Sequence, residues 1–527
     1  MDRLRKVLRG GFLRLERGLG AVFPPAWNPI YHLGPLGFFC YWIVAVSGIY
    51  VFIFFDTGTT EAYDSLDYMT HDQWYLAGVM RSLHRYASDA MVLFMLVHLV
   101  REFSLDRYRG ARWFIWVTGV PILWMVFASG VTGYWLVWDK LAQYIAIATT
   151  EWFDALPIFG EPIARNFLSP QSLDDRFFSL LIFIHIAVPL LLLLVLFIHL
   201  QRLSRPRINP ARGLAAGSFA MLLVLSIVKP ATSQGGPADL TTVAAVVDLD
   251  WFYLGLYPLL DVWSSGTVWG VAGVLTFMLS ALPWMPPMRR PPAAAVDLDN
   301  CNGCMRCVDD CPFAAVTMQP RSDGKPFTHE AVVDPALCVS CGICAGACPT
   351  STPFRRATAL VPGIDLPHLP LRVLRDRVEA AAAGLSGDGR ILLFGCGHGV
   401  AAQAAGRPGV AAIELPCLAM LPPSFIDYVL SRRLADGVFL GGCAEEQCYH
   451  RLGVRWMQDR LAGARDPRLR ARVPRERIAA LWATPLDRGR LDRELAAFAA
   501  RLRDAGRLAA AAAPPAAAQR ALEPSDG

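Results

Sequence analysis

Charged residues are scarce in this sequence. Only 18% of the 527 residues are Asp, Glu, Lys or Arg, whereas 54% are hydrophobic and the mean hydropathy is +0.35. A soluble globular chain has about 25% charged residues. The composition therefore excludes a wholly soluble protein and predicts that part of the chain lies in a membrane. The net charge of +5 averages over unlike regions, and no nucleic-acid partner is predicted.

Three further features are missing. The sequence has no C-x-x-C-H motif, which excludes covalent c-type haem attachment. It has no Gly-rich dinucleotide fingerprint, so the chain itself is not predicted to oxidise NADH. The N-terminus lacks the apolar core and cleavage site of a secretory signal. Its basic residues surround apolar residues at helical spacing, which predicts that 1–20 is an amphipathic helix on the inner membrane surface.

Long apolar segments are abundant. Each has about the 20 residues that a spanning helix needs, and they lie at 37–55, 82–100, 113–138, 177–200, 212–229 and 264–284. The loop 56–80 has five acidic residues and no Lys or Arg, whereas the two loops "REFSLDRYRGARW" and "QRLSRPRINPARG" are basic. The positive-inside rule then predicts a multi-pass protein of the bacterial inner membrane, with both termini cytoplasmic. The predicted fold of this part is an all-α bundle of six transmembrane helices.

Four histidines interrupt the second and fourth apolar segments. His84 and His98 are fourteen residues apart, and so are His185 and His199. Fourteen residues rise about 21 Å along a helix and make close to four turns, so each pair points one way at two membrane depths. The two segments run in the same direction, which sets His84 level with His185 and His98 level with His199. Packing histidines are the alternative, but intramembrane polar groups cost energy and usually mark function. The pattern predicts two b-type haems, each held by two imidazoles.

Glycines repeat the same spacing in the first and third segments. Gly34 and Gly48 are fourteen apart, as are Gly119 and Gly133. A haem needs a surface free of side chains where its plane meets a helix. Ordinary packing through small residues is the alternative, and the spacing shared with the histidines favours a haem.

These stretches resemble a known family. "RSLHRYASDAMVLFMLVHLVRE", "HLGPLGFFCYWIVAVSGIY" and "GVTGYWLVWDKLAQYIA" are similar to the cytochrome b subunit of bc1 and b6f complexes, over about 20–285. The resemblance implies that the four histidines bind two haems and that Arg81 and Arg101 lie near haem propionates. Nothing in the chain supplies the Rieske centre of such complexes.

The family also has a Pro-Glu-Trp-Tyr motif at its outer quinol site. The counterpart here is "DLDWFYLGLYPLLD", with Asp250 at the Glu position and Phe252 at the Tyr position. Asp250 is a candidate proton acceptor for quinol, and Trp251 and Tyr253 offer flat surfaces for a quinone ring. An exposed loop acid without a catalytic role is the alternative.

Two cysteine runs follow the membrane part. "CNGCMRCVDDCP" and "CVSCGICAGACP" both read C-x2-C-x2-C-x3-C-P, the pattern of two-cluster ferredoxins, in which the fourth cysteine of each run ligates the other cluster. Zinc sites usually use pairs of cysteines instead. The predicted [4Fe–4S] ligand sets are Cys301, Cys304, Cys307 and Cys348 for one cluster, and Cys338, Cys341, Cys344 and Cys311 for the other.

Four more cysteines lie in a C-terminal segment of alternating strand-like and helical runs. Cys396, Cys417 and Cys443 end strand-like runs, and Cys448 follows shortly. A small α/β domain with a parallel sheet would gather such residues at one edge, where they are predicted to hold a [2Fe–2S] cluster. Buried structural thiols are the alternative.

The same segment, about 388–505, resembles the iron–sulfur subunit of methyl-viologen-reducing hydrogenase, most clearly in "LADGVFLGGCAEEQCYHRLG". That family opens with C-x-x-C, but Gly399 stands at the second cysteine. His398 or His450 is an alternative ligand. Cys40, alone in an apolar segment, is predicted to serve packing.

The sequence thus predicts a multidomain chain in which a ferredoxin-like two-cluster module follows the membrane part. The predicted divisions are the surface helix 1–20, the di-haem domain 21–285, a linker 286–295, the two-cluster module 296–352, a connector 353–387, the [2Fe–2S] domain 388–507 and a disordered tail 508–527.

The predicted function is that of a quinone-linked oxidoreductase subunit. Its cofactors are two haem b, two [4Fe–4S] and one [2Fe–2S], with quinone as the substrate. Its predicted partners are a cytoplasmic flavoprotein or dehydrogenase, implied by the hydrogenase-subunit resemblance, membrane quinone and a second copy in a homodimer. The alternatives are a transmembrane conduit or assembly subunit with no quinone site of its own, and reverse flow in which quinol reduces the cytoplasmic partner.

Overall fold

The computed structural model describes residues 2–158, 163, 168, 173–243, 246–287, 290–355, 360–403 and 406–512. The chain divides into two compact units, 1–288 and 289–527. The division falls within the predicted linker 286–295.

The first unit is helical. Its apolar segments form helices because a helix satisfies all of its backbone hydrogen bonds internally, which an apolar environment requires. Its helices are α1 (Asp2–Gly20), α2 (Leu33–Phe54), α3 (Glu61–His71), α4 (Val79–Ser104), α5 (Trp113–Val137), α6 (Lys140–Asp154), α7 (Asp175–Leu200), α8 (Arg212–Val228), α9 (Tyr257–Val262) and α10 (Ser265–Ala281). Each of the six predicted segments is therefore a helix.

Four helical stretches in the described part of this unit are long and apolar enough to cross a membrane: Pro29–Phe54, Gly110–Val137, Asp175–Leu200 and Ser265–Trp284. The helix α4 is 26 residues long, but Arg81, Arg85, Asp89 and further charged residues reduce its hydropathy. The helix α8 has only 17 residues. The six spanning helices therefore stay a prediction.

Two helix pairs organise the bundle. The helix α2 packs along α4, and α5 packs along α7. The predicted glycine helices, α2 and α5, are thus each paired with a predicted histidine helix. Tyr41 on α2 crosses between the pairs, and its hydroxyl donates to the carbonyl of Pro189 on α7 at 3.0 Å. This packing positions the candidate haem sites.

The second unit contains two small antiparallel pairs and a parallel sheet. Its strands are β1 (Ala295–Val296), β2 (Val316–Pro320), β3 (His329–Val333), β4 (Ile364–Asp365), β5 (Ile391–Cys396), β6 (Val410–Leu415), β7 (Gly437–Gly442) and β8 (Ile478–Trp482). Its helices are α11 (Arg306–Asp310), α12 (Ile343–Ala347), α13 (Leu371–Ala383), α14 (Ser424–Ser431), α15 (Gly453–Ala462) and α16 (Arg488–Ala512). The strand β1 pairs with β4, and β2 with β3.

The parallel sheet has the strand order β6-β5-β7-β8. Every strand pair in it is parallel, as the alternation of strands and helices predicts. The order reverses at β5, because the next strand, β6, lies on one side of it and β7 lies on the other. In open parallel sheets, sites form beyond the carboxyl ends of the strands at such a reversal. Apolar residues of β5, β7 and α16, including Leu393, Phe439 and Phe498, form the core beside it.

The cysteine-rich module and the parallel sheet pack together within this unit. A Cβ atom added to Gly346 on α12 would overlap the carbonyl oxygen of Ala419. The indole of Trp456 on α15 donates to the carbonyl of Asp310 on α11 at 3.2 Å. The backbones are in close contact, so the two modules that the sequence separates form one structural unit.

The C-terminal helix α16 extends five residues into the predicted tail 508–527, to Ala512. The rest of that tail lies outside the described residues. The predicted connector 353–387 contains β4 and α13.

Candidate haem and iron–sulfur centres

With the N-terminus cytoplasmic, the predicted topology puts His84 and His185 at an outer level and His98 and His199 at an inner level. At the outer level, each histidine faces a glycine of the neighbouring helix. A Cβ atom on Gly48 would lie 2.8 Å from Cε1 of His84, and one on Gly133 would lie 2.9 Å from Cε1 of His185. These distances are too short for a side chain. The glycines are therefore needed for the imidazoles to occupy these positions.

The predicted inner level repeats the arrangement with more room. A Cβ atom on Gly34 would lie 3.7 Å from Cε1 of His98, and one on Gly119 would lie 3.6 Å from Cε1 of His199. Both distances are ordinary van der Waals contacts. All four glycines that share the fourteen-residue spacing thus face the four histidines, one to one.

The two outer histidines also face each other. The ring centres of His84 and His185 are 6.2 Å apart, with 61° between the ring planes. An imidazole nitrogen lies roughly 2 Å from a metal that it ligates, so the spacing leaves room for one metal atom between the rings. His84 and His185 could therefore hold one haem iron between their rings.

Threonine hydroxyls orient two of the rings. Oγ1 of Thr118 is 3.0 Å from Nδ1 of His199, and Oγ1 of Thr132 is 3.1 Å from Nδ1 of His185. Each hydroxyl also donates to a carbonyl one turn earlier in its own helix, so its oxygen is free to accept the Nδ1 proton. The proton then resides on Nδ1, and Nε2 is available to a metal.

His84 is oriented by a carbonyl instead. Its Nδ1 is 2.9 Å from the carbonyl oxygen of Val44 and 3.4 Å from the hydroxyl of Ser47. The sequence interpretation missed Thr118, Thr132 and Ser47. A signal was present, because the first two are fourteen apart and each of the three directly precedes one of the repeated glycines. Leu33 occupies the equivalent position before Gly34.

The two predicted propionate arginines contact protein groups in this structure. Arg101 forms a buried ion pair with Glu16 of α1 at 2.7 Å. Arg81 donates to the hydroxyls of Thr70 and Ser233. Contacts of Arg81 and Arg101 with propionates stay a prediction.

Asp250 forms a charge cluster with Arg85 and Asp89 of α4, in which its own side chain is the buried one. Its Oδ2 accepts from Arg85 at 2.5 Å, and its side chain is only 3% exposed. Its Oδ1 accepts from the backbone N–H groups of Phe252 and Tyr253, both at 2.7 Å. Arg85 also pairs with Asp89, one turn further along α4. Asp250 is thus not an exposed loop acid, and the sequence interpretation missed Arg85 and Asp89, for which their position inside an apolar helix was the available signal.

The two predicted aromatic residues differ in their surroundings. Tyr253 is buried, and its hydroxyl is 2.5 Å from the hydroxyl of Ser88 on α4. Its ring lies directly against Gly130, where a Cβ atom would overlap it. Trp251 is 57% exposed. The structure brings Tyr253 to the charge cluster and leaves Trp251 at the surface of the unit.

In the second unit, the eight cysteines of the two runs divide between two small cavities. One cavity is lined by Cys301, Cys304, Cys307 and Cys348. The other is lined by Cys311, Cys338, Cys341 and Cys344. This is the exchange of the fourth cysteine that the motif predicts. Among the described residues, no group of three or more His, Cys, Asp or Glu is spaced for a single metal ion.

A third cavity lies at the strand-order reversal of the parallel sheet. It is lined by Cys396, Cys417, Cys443 and Cys448, and the sulfur atoms of the first and third are 3.3 Å apart. Cys396 is the last residue of β5, Cys417 lies two residues after β6, and Cys443 directly follows β7. Cys448 lies in the loop after β7. The four side chains of the predicted [2Fe–2S] site therefore converge.

Glycines shape this cavity. A Cβ atom on Gly453 would overlap the sulfur of Cys417. One on Gly399, the position of the missing second cysteine, would lie 2.7 Å from the backbone of Gly442. There is no room for a cysteine side chain at 399 without a shift of the backbone.

The two alternative histidine ligands lie in different places. His450 lines the third cavity. His398 stacks on Tyr449, with ring centres 3.7 Å apart, and is not among the lining residues. The geometry favours the four cysteines over His398.

Burial raises the pKa of several cysteine thiols in these cavities. Burial, reinforced by neighbouring thiols, raises the pKa of Cys307 and Cys341 to about 12. It raises the pKa of Cys344 and Cys417 well above the ordinary value of 9.0. A thiolate at these positions needs a nearby positive charge, which cluster iron supplies when it binds. Cys40 is buried in α2 and lines none of the three cavities.

Apolar helices that present paired histidines, followed by three four-cysteine cavities, define a class of membrane electron-transfer proteins. The matches to protein families are more specific. Residues 19–206 match cytochrome b/b6/petB, residues 300–352 match the 4Fe-4S dicluster domain, and residues 391–506 match the delta subunit of methyl-viologen-reducing hydrogenase. Their order confirms the predicted fusion, and they support haem b in the first unit and a [4Fe–4S] dicluster in the second.

One solved chain, described as "Hyperthermophilic respiratory Complex III", is similar to part of this protein. The alignment covers 48% of this chain and 75% of that chain, with 19% sequence identity and a TM-score of 0.39.

Proposed function

We propose that this protein links a cytoplasmic flavoprotein or dehydrogenase to membrane quinone through iron–sulfur clusters and haems carried on one chain. Its predicted place is the bacterial inner membrane, with both termini cytoplasmic. Electrons enter at a [2Fe–2S] cluster, pass through two [4Fe–4S] clusters to the inner haem, and leave to quinone. A homodimer is part of the prediction.

The observation that carries the proposal is the one-to-one pairing of four glycines with four histidines on two helix pairs. Packing histidines have no reason to repeat at fourteen residues with a glycine opposite each. His84 and His185 would hold the outer haem, and His98 and His199 the inner one. The haems supply one-electron chemistry when bound, while Thr118, Thr132 and Val44 hold the Nδ1 protons of their ligands.

The [2Fe–2S] assignment is supported by the convergence of Cys396, Cys417, Cys443 and Cys448. A buried set of structural thiols would not need the close approach of Gly453 to the sulfur of Cys417. The donor would meet this domain, as the hydrogenase-subunit match suggests. The direction of flow depends on reduction potentials, so quinol-driven reduction of the partner uses the same path in reverse.

The proposed outer quinone site is built on Asp250 and Tyr253. Asp250 would accept a proton from quinol, and Tyr253 would pack against the ring. Both oxygens of Asp250 are already hydrogen-bonded, one to Arg85 and the other to two backbone N–H groups. That observation favours a second candidate function, a transmembrane conduit without its own outer quinone site.

The test is quinone turnover by the purified protein, with reduced methyl viologen as the electron donor and ubiquinone or menaquinone analogues as acceptors. A working outer site predicts that Asp250→Asn keeps all cofactors and slows turnover by about 10²-fold, a common loss for one acid–base group. Asp261→Asn, on α9 of the same segment, is the control. Unchanged turnover in Asp250→Asn would reject the outer site, and no turnover in wild type would reject quinone as the acceptor.

A further inference from the structure

One arginine of the second unit is buried completely. Arg460 on α15 has 0% exposure, which is rare for an arginine. Its NH1 donates to the carbonyl of Ala419 at 2.7 Å, and its NH2 donates to Oδ2 of Asp310 at 2.5 Å. The buried charge therefore bridges the parallel-sheet domain and the cysteine-rich module.

Each partner of Arg460 lies next to a cysteine of a different cavity. Asp310 directly precedes Cys311, which lines one [4Fe–4S] cavity. Ala419 is two residues after Cys417, which lines the third cavity. The thiol of Cys417 and the guanidinium interact electrostatically. Arg460 is thus the cation at the junction of these two cavities.

Besides Asp310 and Ala419, the side chain of Arg460 contacts α12. A Cβ atom on Gly346 would lie 3.0 Å from NH1 of Arg460, and Gly346 follows Cys344, another residue of the [4Fe–4S] cavity. Ile343 of this helix also lies near the third cavity, because a Cβ atom on Gly453 would be 3.7 Å from its Cδ1. The two cavities are therefore neighbours, with α12 between them.

The ion cluster around Arg460 is positive. Arg465 donates its Nε to Oδ1 of Asp310 at 2.7 Å and stacks over Trp456. Two guanidinium groups thus share one carboxylate, whose side chain is 3% exposed. Nε of Arg460 is buried and has no hydrogen-bond partner within the described part of the chain. One positive charge remains uncompensated by Asp310 in a region of low dielectric.

We propose that Arg460 is a positioning residue that raises the reduction potentials of two clusters: the [2Fe–2S] and the [4Fe–4S] at Cys311, Cys338, Cys341 and Cys344. The inference rests on the proposed function, since it needs both clusters to be present. Reduction adds one negative charge to a cluster, and a nearby buried cation stabilises that charge. Local charge and hydrogen bonding are known determinants of cluster potentials.

A consequence is the order of the relay within this unit. The contacts described above that reach the third cavity or Arg460 come from α12 and Asp310, beside the cavity of Cys311, Cys338, Cys341 and Cys344. Cys304 of the other [4Fe–4S] cavity is exposed. An electron entering at the [2Fe–2S] would pass first to the neighbouring [4Fe–4S] and then to the cluster with the exposed cysteine. Arg460 would hold the first two centres at raised potentials, so that electrons collect at the junction.

The test is an EPR-monitored redox titration of the full-length protein. Arg460→Met should lower the reduced-to-oxidised ratio of both neighbouring clusters by about tenfold at a fixed potential. For a one-electron couple, this is a fall of about 59 mV in each reduction potential. Arg460→Lys keeps the positive charge, so its two cluster potentials should stay close to those of the wild type. Arg375→Met is the matched control. Arg375 is also buried, donates to the backbone carbonyls of Pro353 and Arg355 and pairs with Glu379 at 3.6 Å, but it lines none of the three cysteine cavities.

A second variant covers the case in which Arg460→Met fails to assemble. Asp310→Asn leaves both guanidinium groups uncompensated, so it should raise the same two potentials. Clusters present with unchanged potentials in either variant would overturn the inference. Absence of iron–sulfur signals from the wild-type protein would instead overturn the proposed function.

Discussion

The two units hold their candidate cofactors in different ways. In the membrane unit, long continuous helices carry the histidines, and a fixed rise per residue converts sequence spacing into depth. In the second unit, short loops and strand ends carry the cysteines, and their distances follow from how separate elements pack. Spacing alone therefore reveals the haem ligands, whereas the third cysteine site also needs the sheet topology.

The largest effect should come from His98→Ala. Removing one axial ligand should eliminate the inner haem, so that the haem content falls by half while the iron–sulfur content is unchanged. His71, exposed on α3, provides the control substitution His71→Ala. Haem extraction with optical spectra measures both. Retention of the full haem content would contradict the pairing of His98 with His199.

Cys417→Ser tests the predicted [2Fe–2S] site of the second unit. Loss of one thiolate at the strand-order reversal should remove the [2Fe–2S] signal and leave most of the [4Fe–4S] signal, as EPR spectroscopy would show. Cys40→Ser changes a buried cysteine that lines none of the three cysteine cavities, and it should alter neither signal. An unchanged [2Fe–2S] signal in Cys417→Ser would leave the third cavity without a cofactor role.

Much of the fold follows from the sequence for physical reasons. The fourteen-residue repeats predict the facing glycines and histidines, because a helix has one geometry. The C-x2-C-x2-C-x3-C-P runs predict the two sets of four cysteines, because the motif itself determines the exchange of the fourth cysteine. Both predictions depend on local periodicity or a compact motif.

Long-range contacts could not be predicted in this way. The strand β8 pairs with β7, which lies forty positions earlier in the chain. The packing of the cysteine-rich module on the parallel sheet depends on residues more than a hundred positions apart, such as Arg460 and Asp310. The bonds of Arg101 to Glu16 and of Asp250 to Arg85 are of the same kind. Charged residues in apolar surroundings indicate that they have partners, but they do not indicate which residues the partners are.

Replacing the four glycines by alanine should have an intermediate effect on haem occupancy in the membrane unit. Gly48→Ala and Gly133→Ala would bring Cβ atoms within 3 Å of His84 and His185, so they should lower occupancy of the outer haem. Gly34→Ala and Gly119→Ala bring Cβ atoms only to ordinary contact distance from His98 and His199, so they should lower occupancy of the inner haem less. Gly37→Ala on α2, where an added Cβ atom would have nothing within 4 Å, is the matched control. Equal haem occupancy in all four variants would mean that the glycines serve helix packing alone.

The smallest effect should come from Thr132→Val. The hydroxyl accepts the Nδ1 proton of His185, which makes the imidazole a stronger donor to iron. Its loss should raise the outer haem potential slightly, with haem content preserved. Thr149→Val, a buried threonine on α6 that bonds to Tyr257, is the control. An optical redox titration with no shift would remove Thr132 from the account.

The central claim is that electrons pass from the clusters through the inner haem to quinone. The most direct test is anaerobic stopped-flow oxidation of fully reduced protein by a quinone analogue, with cluster and haem absorbance followed together in wild type and His98→Ala. We predict that wild-type clusters reoxidise in step with the haems and that the clusters of the variant stay reduced. Reoxidation of the clusters at the wild-type rate in His98→Ala would contradict the claim.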